Sequence, residues 1–89
     1  MAERYIRIRN KLGLHARASA KLATEAGRFK SEVILIRDEI EVNCKSIMGI
    51  MMLAACKGTE LVIRAEGVDA DAALDAIETL VDDRFGEGE

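Results

Sequence analysis

Proline and tryptophan are absent from this 89-residue sequence, histidine occurs once and cysteine twice. The aromatic residues are Tyr5, Phe29 and Phe85, too few for a base-stacking platform. A single histidine with Cys44 and Cys56, which lack CxxC spacing, does not make a zinc site. Both thiols read instead as small buried or half-buried apolar residues in a reducing compartment. The formal net charge of −3 gives no support to nucleic-acid binding. No apolar run approaches the roughly 20 residues of a membrane helix. Arg4, Arg7 and Arg9 interrupt the stretch where a signal peptide needs a hydrophobic segment. The expectation is a cytoplasmic protein without metal or other cofactor, neither inserted in a membrane nor bound to nucleic acid.

What is present fits one domain over residues 1–89, with 49% hydrophobic and 33% charged residues and a single modest core. Ile6 and Ile8 alternate with Tyr5, Arg7 and Arg9, which predicts a half-buried strand over 5–9. Ala18, Leu22, Ala26 and Phe29 recur at spacings of four, four and three, the inner stripe of a helix that Gly27 ends. Arg17, Lys21, Thr24 and Arg28 lie on its outer side, a basic surface suited to acidic partners. Val33 to Ile36 reads as a well-covered strand, and Ile40 to Asn43 as its hairpin mate across Asp38-Glu39. Ser46 is an N-cap for a short helix over 47–53, whose Met48, Ile50, Met51 and Met52 cannot all be buried. Gly58-Thr59 is a turn before a strand over 60–66. Asp69 is the N-cap of a last helix with Ala73, Leu74, Ile77, Leu80 and Val81 inside and Asp71, Asp75, Glu78 and Asp82 outside. Residues 86–89 read as a fraying tail. This order gives an α+β fold with helices over one face of an antiparallel sheet.

His15 falls where a strand-to-helix turn enters the first helical turn. The first N–H groups of a helix lack intrahelical partners and carry partial positive charge. That end disfavours a protonated imidazole and favours a neutral, nucleophilic one. A phosphoryl group taken up by the ring would lie beside those N–H groups and the guanidinium of Arg17. By itself the setting favours a capping or packing histidine, the usual role of a lone histidine near a helix start.

A second stretch, Lys45-Ser46-Ile47-Met48-Gly49, separates these readings. Together with Gly13-Leu14-His15-Ala16-Arg17 at this spacing, it resembles the HPr family of histidine-containing phosphocarriers over essentially the whole chain. The resemblance implies an open-faced β-sandwich, a four-stranded antiparallel sheet covered on one face by three helices. It also implies a covalent carrier in the phosphotransferase system, and not a free-standing enzyme. His15 would accept a phosphoryl group at Nδ1 from enzyme I, itself charged from phosphoenolpyruvate, and pass it to IIA proteins of sugar transport. The backbone of Ala16 and Arg17 and the Arg17 guanidinium would stabilise that group. Ser46 matches the serine modified in some branches by an HPr kinase/phosphorylase. Ala16, Ala20, Ile47, Met48, Met51 and Met52 would form the docking surface of a monomer, since a flexible Met-rich patch suits several partners in turn.

One position departs from the family pattern. Many members have proline after the arginine, whereas this chain has Ala18, which keeps the helix and loses some stiffness. That leaves open a regulatory binding protein of the nitrogen-related branch or of carbon-catabolite control, acting through its phosphorylation state. An unrelated small α+β interaction domain with a coincidental motif is the third reading.

Overall fold

Four strands pair into one antiparallel sheet. They are β1 (Ala2–Arg7), β2 (Glu32–Arg37), β3 (Ile40–Asn43) and β4 (Glu60–Glu66), in the spatial order β1-β4-β2-β3. The structure is a computed structural model and describes residues 2–88. The register sets Ile6 against Leu61, and Leu35 between Ile63 and Val42. Ile6, Val33, Leu35, Leu61, Ile63 and Ala65 are buried on the covered side.

Two of the sequence expectations for the sheet are corrected. The first strand ends at Arg7, not Arg9, yet Ile8 stays buried because its backbone bonds Thr59 and Gly58 across the next turn. In β2 only Val33 and Leu35 are buried, while Ile34 and Ile36 are half-buried on the open face. There Ile36 sits beside Val62, which pairs with the 79% exposed Tyr5. One covered face is thus enough to hold an apolar run that suggested two. The β2–β3 turn is carried by Asp38 at φ +56°, a conformation aspartate tolerates better than most residues.

Three helices cover the other face: α1 (Ala16–Gly27), α2 (Ile47–Met52) and α3 (Ala70–Asp82). Ala18, Leu22 and Ala26 of α1 and Ala73, Leu74, Ile77 and Val81 of α3 enter the core, as their spacing predicts. The short α2 packs along α1 and anchors itself through buried Ile50 and Leu53, the latter its C-cap and not a helical residue. Its carbonyl end is satisfied from the sheet, where Arg37 Nη1 donates to Leu53 O at 2.7 Å and Ala54 O at 3.0 Å. No helix among the described residues is long and apolar enough to cross a membrane.

The cysteines differ from each other. Cys44 is fully buried, and burial pushes its thiol up to about 12. Cys56 is exposed, contrary to the buried or half-buried place expected for it.

Asp69 flanks α3 as expected but makes no side-chain bond to that helix. Its carboxylate instead accepts from Ser31 Oγ and from the backbone N–H groups of Lys30 and Ser31, both at 2.9 Å. It therefore ties the α1–β2 connection to the start of α3. The Ser31 hydroxyl first, and then these N–H groups, hold the carboxyl at about 2 against its usual 3.8, outweighing the opposite pull of burial. A carboxyl depressed in the folded state stabilises it above the unfolded value and loses that contribution as pH falls. Asp69→Asn should therefore lower the melting temperature more at pH 6 than at pH 2.5, with the difference closing between about pH 4 and pH 2. Thermal melts across that window check it, and a pH-independent deficit would show that the ionised carboxylate contributes nothing special.

Candidate functional site

The loop before α1 is shaped by a glycine that no other residue could replace without movement. Gly13 has φ +68°, and a Cβ there would lie 2.5 Å from Ala55 O and 2.8 Å from Cys56 Cα. Leu14, buried, donates its N–H to Ala55 O at 2.9 Å. The chain is thereby pinned between the segment after α2 and the start of α1. His15 follows in extended backbone, φ −74° and ψ 179°, as the N-cap of α1. Its carbonyl accepts from Ser19 N–H at 2.8 Å, and its Nδ1 accepts from Arg17 N–H at 3.3 Å. The capping role and the proposed reactive placement coincide: the ring nitrogen nearest the helix end accepts from a backbone donor that has no intrahelical partner.

The C-terminal tail, expected to fray, instead closes the other side of the site. Phe85 is buried in the core, and Lys21 Nζ donates to its carbonyl at 2.6 Å. The one-turn 3-10 segment Arg84–Gly86 carries positive φ throughout, +56°, +55° and +75°. Two non-glycine residues in that region cost about 1–3 kcal/mol each, and such strain persists only where the surroundings impose it. Its result is to bring Glu87 over the imidazole. Glu87 Oε2 lies 2.5 Å from His15 Nε2, and Oε1 accepts from Asn10 Nδ2 at 3.0 Å. Asn10 is fully buried, and the same amide donates to Gly13 O at 2.8 Å. Its Oδ1 is buried without a hydrogen-bond partner among the described residues. Of the tail positions read as fraying, Glu89 lies outside the described residues.

These contacts assign the tautomer. Burial pulls the Glu87 carboxyl up, but the hydrogen bonds from His15 and Asn10, with the charge of Lys21, outweigh it and hold it below the usual 4.5. An ionised carboxylate only accepts, so the proton sits on Nε2, and Nδ1, which accepts from Arg17, carries the lone pair. The bond to Nδ1 is long, so the lone pair is loosely held and available.

A concavity of about 650 Å³ opens beside the ring, between Lys11 and Leu12, the Ala16, Arg17 and Lys21 side of α1, and Gly86-Glu87. Three cationic side chains therefore line it, as an anion site requires. A second concavity of about 700 Å³ between α1 and α3 is lined by Phe29, Ala76, Thr79 and Leu80 with Glu25, Asp75 and Asp83, and has neither a histidine nor a cationic side chain among its lining residues. Chemistry, not volume, singles out the first.

The remaining sequence-predicted residues fall into two groups. Ala16 and Arg17 are exposed beside His15, and Ala20 is half-buried on the same helix. Ser46 caps α2 as expected, its Oγ accepting from Gly49 N–H at 3.0 Å. Ile47, Met48, Met51 and Met52 are exposed, Met48 at 77% and Met52 at 74%. They belong to the neighbouring helix and do not line the His15 concavity. Sequence reasoning missed Asn10, Glu87 and the exposed Leu12. Asn10 and Leu12 carried a signal, being polar and apolar residues next to the motif; Glu87, 72 positions from His15, carried none.

Comparison with known proteins gives one family. The family model described as the PTS HPr component phosphorylation site matches residues 2–83. The chain is 52% identical to phosphocarrier protein HPr of Cupriavidus necator over 89 residues, covering 100% of both chains. It is 46% identical to phosphocarrier protein NPr of Shewanella violacea, covering 96% of this chain and 93% of that one. Among solved structures, HPr-C-His from Thermoanaerobacter tengcongensis superposes with a TM-score of 0.94 at 42% identity, covering 98% of each chain. Fold, motifs and full-length similarity agree: the chain belongs to the HPr family of phosphocarrier proteins of the phosphotransferase system.

Proposed function

We propose that this protein carries a phosphoryl group on His15 Nδ1, receiving it from enzyme I and delivering it to IIA proteins, as a cytoplasmic monomer that needs no cofactor. The observation that carries the reading is the loosely held Nδ1 lone pair at the N-terminus of α1, with the proton fixed on Nε2. A carrier must hold its cargo weakly enough to release it. Backbone N–H groups of Ala16 and Arg17 with one guanidinium supply moderate stabilisation of the transferring group without a metal. Incubation with phosphoenolpyruvate and enzyme I should give an acid-labile, base-stable adduct. An acid-stable, ATP-dependent adduct alone would support the regulatory alternative, which Ala18 and the likeness to an NPr keep in view.

Arg17 acts on the transferring group and not on the fold. Arg17→Ala should slow transfer about tenfold, equivalent to about 1.4 kcal/mol. Its melting temperature should stay within about 3 °C, as for other exposed substitutions. Undiminished transfer in both directions would remove Arg17 from the mechanism.

Ser46 is a negative switch on docking in the same reading, modified by an HPr kinase/phosphorylase where the host has one. Its Oγ already faces the N–H of Gly49, so α2 tolerates an added phosphate at its positive end. Partners drawn to the basic rim of Lys11, Arg17 and Lys21 are acidic, and they would meet about −1.5 to −2 new charges beside the exposed Ile47, Met48, Met51 and Met52. Ser46→Asp should raise the carrier concentration for half-maximal phosphorylation by enzyme I. Matching titration curves for Ser46→Asp, phosphoserine and unmodified protein would leave Ser46 as a cap only.

A further inference from the structure

We infer that Glu87 is a positioning residue for phosphoryl transfer: held by Asn10, it keeps the His15 proton on Nε2 and balances the positive ring that forms when Nδ1 is phosphorylated. The inference rests on the carrier reading above. Much of the molecule is spent on placing one carboxylate. Three successive positive-φ residues, a buried Phe85 and the Lys21–Phe85 bond fix the tail. A fully buried Asn10 with one oxygen unpartnered among the described residues clamps Glu87 Oε1. Unpartnered polar atoms and backbone strain concentrate where function imposes them.

The transfer step shows what the carboxylate does. The Nδ1 lone pair of neutral His15 attacks the phosphorus of a phosphohistidine donor whose ring is protonated on its other nitrogen. The Nδ1–P bond forms, the donor's N–P bond breaks, and its electron pair returns to the donor ring, which leaves as neutral imidazole. His15 keeps its proton on Nε2 throughout and becomes a phospho-imidazolium. No proton needs to move, and the new positive charge arises on the ring 2.5 Å from Glu87 Oε2. In the onward transfer the N–P pair returns to Nδ1, and the ring is neutral again in the same tautomer. Lys11, Arg17 and Lys21 line the concavity beside the ring, and Glu87 is the one carboxylate among its lining residues.

The single histidine makes the test direct, because selective ¹⁵N labelling yields only two ring signals. Glu87→Gln keeps an oxygen that accepts from Nε2–H but removes the charge, and Glu87→Ala removes both. In unphosphorylated wild type the neutral ring should show a protonated Nε2 and an unprotonated Nδ1. The Gln variant should keep that pattern, and the Ala variant should move both signals toward averaged values. In the phosphorylated protein, the pH at which Nε2 loses its proton should fall by about one unit in both variants. With enzyme I, kcat should drop severalfold in Glu87→Ala at unchanged KM, since Glu87 works through the ring. Ring signals, phospho-ring titration and kcat all equal to wild type would overturn the inference while the carrier reading stands. A wild-type protein that takes no phosphoryl group would defeat the carrier reading, and the unphosphorylated ring signals would still decide whether Glu87 sets the tautomer. If the alanine variant fails to fold, the glutamine variant decides through the phospho-ring titration.

Discussion

Replacing Gly13 by alanine should lower the melting temperature by about 12 °C or more, at roughly 4–8 °C per kcal/mol for a domain of this size. Two costs combine. A non-glycine residue at φ +68° is strained by about 1–3 kcal/mol. The added methyl group would sit 2.5 Å from Ala55 O and 2.8 Å from Cys56 Cα, both backbone atoms that cannot rotate away. Overpacking of that kind costs about 1–3 kcal/mol more. A total near 3 kcal/mol is a large share of the stability of a small domain. Relief of the clash has to break the Leu14–Ala55 hydrogen bond, which sets where α1 begins. Phosphoryl uptake should therefore fall together with stability. Thermal melts at fixed pH check the expectation, and a shift under about 2 °C would mean that the loop has slack the geometry does not show.

What could be read from the sequence follows the range of the physics involved. The alternation of Ile6 and Ile8 and the stripe Ala18-Leu22-Ala26 report local periodicity, and both faces are buried as expected. Ser46 capping α2 is equally local, its acceptor and donor only three residues apart. Asp69 shows where locality fails. Its type and position suit a helix cap, yet Lys30 and Ser31, 38 or 39 residues away, offer three donors and win. Ile34 and Ile36 mislead for a related reason, because an apolar run does not say how many faces of a sheet are covered.

The site divides along the same line. The proposed nucleophile, His15, and the helix end that receives it are adjacent in sequence, so Gly13 to Arg17 could be assembled on paper. The groups that orient the nucleophile come from elsewhere. Glu87 reaches Nε2 only because Phe85 finds the core and Lys21 its carbonyl. A Gly-rich tail that looks free in sequence is held by one buried aromatic ring. The partner of the His15 ring is thus a property of tertiary packing, and only its consequence, an imidazole with its proton on Nε2, is local chemistry.

In the proposed function, one ring nitrogen of one residue carries the phosphoryl group. His15 is the only histidine, and His15→Ala removes the ring but leaves Gly13, Leu14 and the core as they are. Losing the Nδ1 cap on Arg17 N–H costs about 1 kcal/mol, so the variant should fold. The measurement is phosphoenolpyruvate- and enzyme I-dependent labelling of wild type and His15→Ala side by side, with circular dichroism to establish that both are folded. Wild type should carry stoichiometric acid-labile label, and the folded variant none. Label reaching folded His15→Ala at the wild-type rate would contradict the proposed function.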